Sequence, residues 1–362
     1  KRDKFRSSTM RLTIGSRSPS THRVSRDGGG VIEACKVSEQ EAAADALVES
    51  ALSGRLHHAW LMAGPAGIGK ETLAWRFARW LLAGMPEAPK DKPPLYLEPS
   101  HPVFRRVAAE SHADLLTIDA DTLRGDRKRN DINVDAARLI PGFMNKTAAE
   151  GGWRVVVVDG VETMNLQAQN AILKVLEEPP ARAILLLVSS APARLLPTIR
   201  SRCRRLDLFP LNEAEMTPLL ARLLPDLPAA DRARLAEMAE GSPGRAMQLA
   251  EGDGLELQAL VEECLANLNR PDPARFHAVA DRCLADRGGG AFVTFMALLR
   301  GRIAGALRQA ARGEAAPGWI AAHPLAAWPA LWDRLGRLVD ETERLNMDRK
   351  QAVLTGLSWL SA

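Results

Sequence analysis

Apolar residues follow different patterns on the two sides of about residue 208. Before it, continuous apolar runs alternate with helically spaced segments; after it, the spacing is helical throughout. The runs at 58–63, 155–158 and 184–188 predict buried strands, and 114–118 predicts a further strand. Strands of this kind, joined by helices, predict an α/β fold with a doubly wound parallel sheet. Ligands of such sheets bind beyond the carboxyl ends of the strands.

The second part of the chain predicts helices alone. Helices are expected near 213–223 and 231–240, and the Gly-Ser-Pro triplet at 241–243 closes one helix, caps the next and fills its first turn. Four regions are therefore expected: a tail at 1–37, an α/β domain of nucleotide-binding type at 38–208, a small helical lid at 209–254 and an all-helical C-terminal domain at 255–362.

Three segments interrupt this pattern. Residues 84–112 are rich in Pro and Lys and predict an insertion or a long loop, while the glycines at 288–290 predict a hinge. Residues 1–37 are rich in Arg and Ser and poor in acidic residues. This composition favours a disordered tail, and an organelle transit peptide or a misassigned start are the alternatives.

Composition excludes several classes of protein. The net charge is +4, but the first 28 residues hold eight basic side chains against two acidic ones, so the remainder is near −2. A basic footprint for nucleic acid over the whole surface is therefore not expected.

The sequence has no apolar run of about 18 residues, so no membrane span is predicted. Its four cysteines are scattered without metal-ligand spacing, which favours a reducing cytoplasm and no zinc site.

Residues 64–71 form a phosphate-binding loop with an unusual last residue. Gly64, Gly67 and Gly69 allow backbone amides to approach a phosphate, and Lys70 stands where a lysine holds the β- and γ-phosphates. Glu71 replaces the Ser or Thr whose hydroxyl binds Mg²⁺. A carboxylate about 4 Å from a phosphate oxygen costs roughly 4 kcal/mol at an effective dielectric of about 20. Alternatively, Glu71 favours the helix N-terminus by about 0.3–1 kcal/mol and points to solvent.

Either interpretation of Glu71 removes the Mg²⁺ hydroxyl. Lys70 and the loop amides remain, so residual binding of ATP, ADP or phosphate is compatible with the sequence while hydrolysis is not expected.

Asp159 ends the 155–158 run, where an aspartate polarises the water shell of Mg²⁺ in nucleotide hydrolases. The adjacent general base is missing because the next residue is Gly160. Glu162 lies two residues further on and is expected to project away from the position of the base. Alone, Asp159 would be a common turn residue, but with the loop it is expected to face the phosphates.

A continuous block of motifs follows. It reads N-A-I-L-K-V-L-E-E-P-P at 170–180 and L-L-P-T-I-R-S-R-C at 195–203. This block resembles the clamp-loader branch of the AAA+ ATPases, and the resemblance covers about residues 38–362. It implies an AAA+ core with a P-loop, a helical lid and a C-terminal collar that joins subunits. It also implies that Arg202 is an arginine finger given in trans to the ATP of a neighbouring subunit, whereas in isolation Arg202 would be assigned to a local carboxylate such as Asp207.

The sequence departs from the family at two places. Gly244 stands where active relatives have a nucleotide-sensing arginine, with Arg245 one residue further on, and 84–112 lacks the four cysteines of the zinc module that many relatives carry. Neither zinc nor another metal site is therefore expected.

The resemblance implies a non-hydrolysing clamp-loader subunit that requires no cofactor and neither polymerises DNA nor hydrolyses ATP itself. Its expected partners are clamp-loader ATPase subunits, the clamp-opening delta subunit, the sliding clamp and primed DNA.

Two other functions stay open at this point. An ATP-hydrolysing motor subunit or stand-alone AAA+ ATPase is disfavoured by Glu71 and Gly160. A DNA-binding protein acting through the basic residues at 124–129 is disfavoured by the overall charge. Trp319, Trp328 and Trp332 are expected in a core, with a subunit interface as the alternative.

Overall fold

The predicted strands form a parallel sheet with one strand more than the sequence indicated. Its order is β2-β3-β4-β1-β5, and every neighbouring pair is parallel. The strands are β1 (Ala59–Ala63), β2 (Leu115–Ile118), β3 (Arg154–Asp159), β4 (Ala183–Ser189) and β5 (Arg204–Asp207). The expected class, a parallel-sheet α/β core with helices following it, is confirmed.

The computed structural model describes residues 38–120, 122, 131–284 and 290–361. The predicted tail, the basic residues at 124–129 and the glycines at 288–289 lie outside the described residues. The chain divides into two compact units, one containing residues up to 65 and 69–209, the other 66–68 and 210–362. The division of the second part into lid and collar stays a prediction.

The first unit is built around the central strands. All seven residues of β4 are buried, as are the first five of β3, because the neighbouring strands and helices exclude water from both faces. Burying each such Val, Ile or Leu contributes about 1.5–3 kcal/mol. The helices of this unit are α1 (Ser38–Leu52), α2 (Lys70–Leu82), α3 (Pro102–Ala108), α4 (Val134–Met144), α5 (Leu166–Glu177) and α6 (Pro197–Arg200).

Strand register brings the candidate residues to one edge of the sheet. Ala63 of β1 pairs with Ser189 of β4, and Asp159 of β3 pairs with Val188. Because parallel strands end on the same side, Gly64, Asp159 and Ser190 all leave the sheet at this level.

Two local predictions were wrong. The segment 84–112 is not irregular throughout, because it contains α3. The His101 ring accepts a hydrogen bond from Val103 N, and Phe104 is buried in a cluster with Trp75. Strand β5 was not predicted because it is an edge strand whose residues are mostly exposed, so the sequence lacks a buried run there.

The second unit is helical. Its helices are α7 (Glu213–Leu223), α8 (Ala229–Ala239), α9 (Pro243–Glu251), α10 (Gly254–Ala266), α11 (Pro273–Cys283), α12 (Gly290–Ala311), α13 (Trp328–Leu345) and α14 (Arg349–Ser361). By length and composition α12 is apolar enough to cross a membrane, but Phe292, Phe295 and Ile303 are buried in this unit. The burial of these side chains is typical of a core helix in a folded domain.

Of the three tryptophans expected in a core, Trp319 and Trp328 are buried and Trp332 is half-buried. Trp328 is fully buried, donates from Nε1 to Ile320 O at 2.8 Å and meets Trp319 edge to face at 5.4 Å between ring centroids. Trp332 donates to Arg300 O at 3.0 Å, and the Arg300 guanidinium lies 4.0 Å from its ring centroid. The expected core position is therefore confirmed for Trp319 and Trp328, while Trp332 packs against Arg300 with part of its ring exposed.

The predicted punctuation at 241–243 is confirmed. Gly241 has φ +79°, Ser242 Oγ accepts from Arg245 N, and Pro243 opens α9. Within the same unit, Ser242 Oγ donates to Ala66 O at 2.9 Å and Gly244 N donates to Gly67 O at 2.9 Å.

Replacing Gly241 by Ala is expected to destabilise the chain more than replacing Gly313. Both glycines have φ between +73° and +79°, so each substitution costs about 1–2 kcal/mol of backbone strain. A Cβ at 241 would also lie 2.4 Å from Leu211 O, whereas nothing lies within 4 Å at 313. The overlap is expected to cost a further 1–3 kcal/mol or so, measured by urea unfolding of the full chain. If Gly241→Ala and Gly313→Ala lower the free energy of unfolding by the same amount, this prediction is contradicted.

Candidate functional site

The predicted phosphate loop lies at the sheet edge where β1, β3 and β4 end. Gly64 N donates to Ser189 O at 3.3 Å, which fixes the start of the loop to β4. Gly69 closes the loop as the N-cap of α2, with φ +99°, and a Cβ there would lie 2.5 Å from Gln40 Nε2. Gly67 has φ +74° in the middle of the loop. Gly64 also has a positive φ, at +152°. Such backbone angles favour glycine, which explains the three glycines of the motif.

Lys70 is buried and held by the protein itself. Its side chain is 4% exposed, and Nζ donates to Pro65 O at 2.5 Å and to Ser190 Oγ at 3.0 Å. Burial lowers the pKa of Lys70, while the charges of Glu162 and Asp159 act in the opposite direction. A phosphate entering the loop would compete with Pro65 and Ser190 for this ammonium.

Glu71 turns along α2 instead of standing free in solvent. Its Oε1 accepts a hydrogen bond from Trp75 Nε1 at 3.3 Å, one helical turn further on, and Trp75 is almost fully buried. The carboxylate thus has a structural contact at the position where a hydroxyl would bind Mg²⁺. The residues present fit a phosphate through Lys70 and the loop, but they do not fit a Mg²⁺ ion held by the loop.

Glu162 lies nearer to the loop than the sequence indicated. Gly160 adopts φ +69° and starts a 3-10 turn, Val161–Thr163, which returns the chain to the sheet edge. Glu162 Oε1 accepts from Ser190 N at 2.9 Å, and its charge acts on Lys70. The left-handed glycine reverses the chain and turns Glu162 towards Ser190 and the loop, while its separation from the position of a general base stays a prediction.

Ser190 was missed by sequence reasoning. It contacts both Lys70 and Glu162 directly after β4. The signal was available, since a polar residue that follows a buried parallel strand falls on the ligand edge of the sheet.

Arg202 follows α6 and is engaged by its own domain. Its Nη2 lies 3.0 Å from Glu177 Oε1, and Nη1 donates to Thr198 O at 3.1 Å. Asp207, the partner considered from sequence, instead pairs with Arg205 at 2.8 Å. The side chain of Arg202 is 36% exposed. In the described part of the chain, the structure thus places Arg202 with α5 and α6 and gathers Lys70, Glu162 and Ser190 at the loop.

The residues at the lid position have contacts of their own in the second unit. A Cβ on Gly244 would lie 2.9 Å from Gly67 Cα, so glycine is favoured there by close backbone approach. Arg245 Nη1 lies 3.6 Å from Glu240 Oε2.

Comparison with known proteins gives a consistent family. Residues 39–212 match the family model described as DNA polymerase III, delta subunit. The chain is 39% identical over 212 residues to DNA polymerase III subunit delta' of Pseudomonas aeruginosa, covering 58% of this chain and 61% of the relative. It is 34% identical over 223 residues to the same subunit of Escherichia coli K12, covering 61% and 62%.

The chain therefore spans about six tenths of the length of these curated relatives. Among solved structures, a DNA polymerase III gamma subunit-related protein from Thermotoga maritima is 19% identical, with 88% of this chain and 98% of that chain covered at a TM-score of 0.48. The family resemblance expected from the motif block is confirmed.

Replacing Lys70 by Met is expected to change the pH dependence of stability. Since the folded chain lowers the pKa of Lys70, the unfolded chain binds this proton more strongly between the lowered pKa and about 10.5. The free energy of unfolding of the wild type should therefore rise relative to that of Lys70→Met as pH increases through this window. Urea titrations between about pH 8 and about pH 10.5 measure the difference.

Lys70→Arg is the matched variant, because arginine stays charged through this range. The free energy of unfolding of the wild type should rise relative to that of Lys70→Arg over the same pH range. If the difference between the wild type and each variant does not vary with pH, the prediction is contradicted.

Replacing Glu71 by Thr is expected to raise the affinity of the isolated chain for Mg²⁺-ATP by about tenfold or more, because a hydroxyl returns and a negative charge leaves the loop. Glu71→Gln is the control, since it removes the charge without supplying the hydroxyl. Calorimetric titration should show a gain in affinity for ATP in both variants. The gain should depend on Mg²⁺ in Glu71→Thr and should not depend on Mg²⁺ in Glu71→Gln. If both variants bind Mg²⁺-ATP with the affinity of the wild type, Glu71 is not the residue that weakens binding at the loop.

Proposed function

We propose, from the match of residues 39–212 to the family model described as DNA polymerase III, delta subunit, and from the similarity to the delta' relatives, that this chain is a non-hydrolysing subunit of the clamp loader. Its role would correspond to that of the delta prime relatives. The observation that carries the proposal is Glu71, whose carboxylate contacts Trp75 where the Mg²⁺ hydroxyl is required. A loop without that hydroxyl is poorly suited to the metal that neutralises the transferring phosphoryl group.

The catalytic contribution we propose lies at Arg202, as an arginine finger. It would reach the ATP of a neighbouring subunit and stabilise the charge that develops on the phosphoryl group during hydrolysis. An arginine finger raises the rate of nucleotide hydrolysis by a factor of about 10³–10⁵. A subunit without turnover of its own would therefore still control hydrolysis at a neighbouring site. The partly exposed guanidinium, two residues beyond the short helix α6, supports this role.

The proposed partners follow from the family. The chain would join clamp-loader ATPase subunits and the clamp-opening delta subunit in a pentameric ring, with the helices from about residue 255 forming its collar. The complex would load the sliding clamp onto primed DNA in the cytoplasm.

No cofactor is required in this proposal. Lys70 and the loop amides would retain the capacity to hold ATP, ADP or phosphate, and no zinc is assigned. Arg245, paired with Glu240, would not serve as a nucleotide sensor.

An ATP-hydrolysing AAA+ subunit is the alternative. The observation that favours it is Glu162, a carboxylate at the loop with Oε2 buried and Oε1 held by Ser190. Such a group has the chemistry of a general base, although it is already engaged by the end of β4.

ATP hydrolysis by the isolated chain and by the assembled complex separates these functions. The isolated chain is expected to show no turnover. In the complex, Arg202→Ala should slow hydrolysis at the adjacent site by about 10³-fold or more, which lowers the steady-state rate towards the contribution of the remaining sites. Arg200→Ala, two residues away and exposed, is the matched control.

Turnover by the isolated chain would favour the alternative. An unchanged rate of the complex with Arg202→Ala would refute the finger.

A further inference from the structure

The contacts of Arg202 point to a second residue that controls it. We propose that Glu177 is a positioning residue that holds the Arg202 guanidinium on its own subunit and competes with the neighbouring nucleotide for it. The inference rests on the proposed role of Arg202 as an arginine finger.

The backbone on both sides of this ion pair is fixed. Ile199 of α6 and Leu176 of α5 are buried in the same hydrophobic cluster, and Cys203 packs against it. Gln169 of α5 accepts from Leu196 N at 2.8 Å, which ties the start of α6 to α5. The positions of Glu177 and Arg202 are therefore set by a packed core, and their side chains provide the freedom to move.

The position of Glu177 on its helix favours a cationic partner. Glu177 is the last residue of α5, where the carbonyl ends of the helix carry partial negative charge. A carboxylate is unfavourable at this end unless a cation lies beside it. The Arg202 guanidinium supplies that cation, at 3.0 Å from Oε1.

The two contacts of Arg202 occupy the same groups that a phosphate would need. Nη2 faces Glu177, and Nη1 donates to Thr198 O. Carboxylate and phosphate oxygens bind a guanidinium through the same planar set of N–H donors. A carboxylate left beside the guanidinium would also repel an approaching phosphate, so Arg202 must leave Glu177 to act in trans.

The strength of the pair suits a reversible restraint. The side chains of Arg202 and Glu177 are 36% and 51% exposed, and pairs of this exposure shift an equilibrium by at most about fivefold. Assembly next to a nucleotide could therefore displace Glu177, whereas the isolated subunit keeps the guanidinium in place.

Reaction of arginine with phenylglyoxal tests the restraint in the isolated full chain. The rate at Arg202, followed by peptide mass spectrometry against Arg200 as reference, is expected to rise about two- to fivefold in Glu177→Gln. Glu178→Gln removes the same charge one residue further on and should leave the rate unchanged, while Glu177→Asp should restore most of the protection. An unchanged rate in Glu177→Gln would overturn the proposal.

The assembled complex tests the consequence. Glu177→Gln should raise its steady-state ATPase rate up to about fivefold, and Glu178→Gln should not. If Glu177→Gln leaves the rate unchanged or lowers it while Arg202→Ala still slows hydrolysis, the restraint is refuted and the finger stands. If Arg202→Ala has no effect, the proposed function fails and the inference fails with it.

Discussion

The hydrogen-bonded register of β1, β3 and β4 is the constraint on which the candidate site depends. It pairs Ala63 with Ser189 and Asp159 with Val188, so the loop, the aspartate and Ser190 leave the sheet together. A shift of one residue in any of these strands would turn its buried side chains to the opposite face. Since β3 and β4 are buried along most of their length, the core fixes this register whether or not a nucleotide is bound.

This independence means that the geometry of the loop does not rest on a bound nucleotide. The glycine conformations at 67 and 69 and the contact of Glu71 with Trp75 are made by the chain itself. Lys70, which a phosphate would otherwise satisfy, instead donates to Pro65 and Ser190. Lys70, Glu71 and Glu162 each have a hydrogen-bond partner within the fold, so each of these side chains is held without a ligand.

The sequence was sufficient for most of the elements and for the family resemblance, but not for several contacts. Continuous apolar runs identified β3 and β4, and helical spacing with a Gly-Ser-Pro triplet located α9. Strand β5 escaped because an edge strand has no buried run, and α3 because its apolar residues occur among prolines. The direction of Glu162 depended on the left-handed angle at Gly160, and the partner of Arg202 on packing between α5 and α6. Tertiary contacts of this kind leave no period in the sequence.

Lys70 and Arg202, two candidate functional cations of the first unit, differ in how strongly the fold holds them. Lys70 is 4% exposed, and removing it from its contacts would leave a buried carbonyl and an ammonium to be satisfied elsewhere, which typically costs about 1–3 kcal/mol or more. Arg202 is 36% exposed and held by a surface ion pair whose loss costs about 1 kcal/mol or less. Under the proposed function, a neighbouring nucleotide would therefore recruit the weakly held Arg202 guanidinium at a smaller cost than the buried Lys70 ammonium, which donates to Pro65 and Ser190.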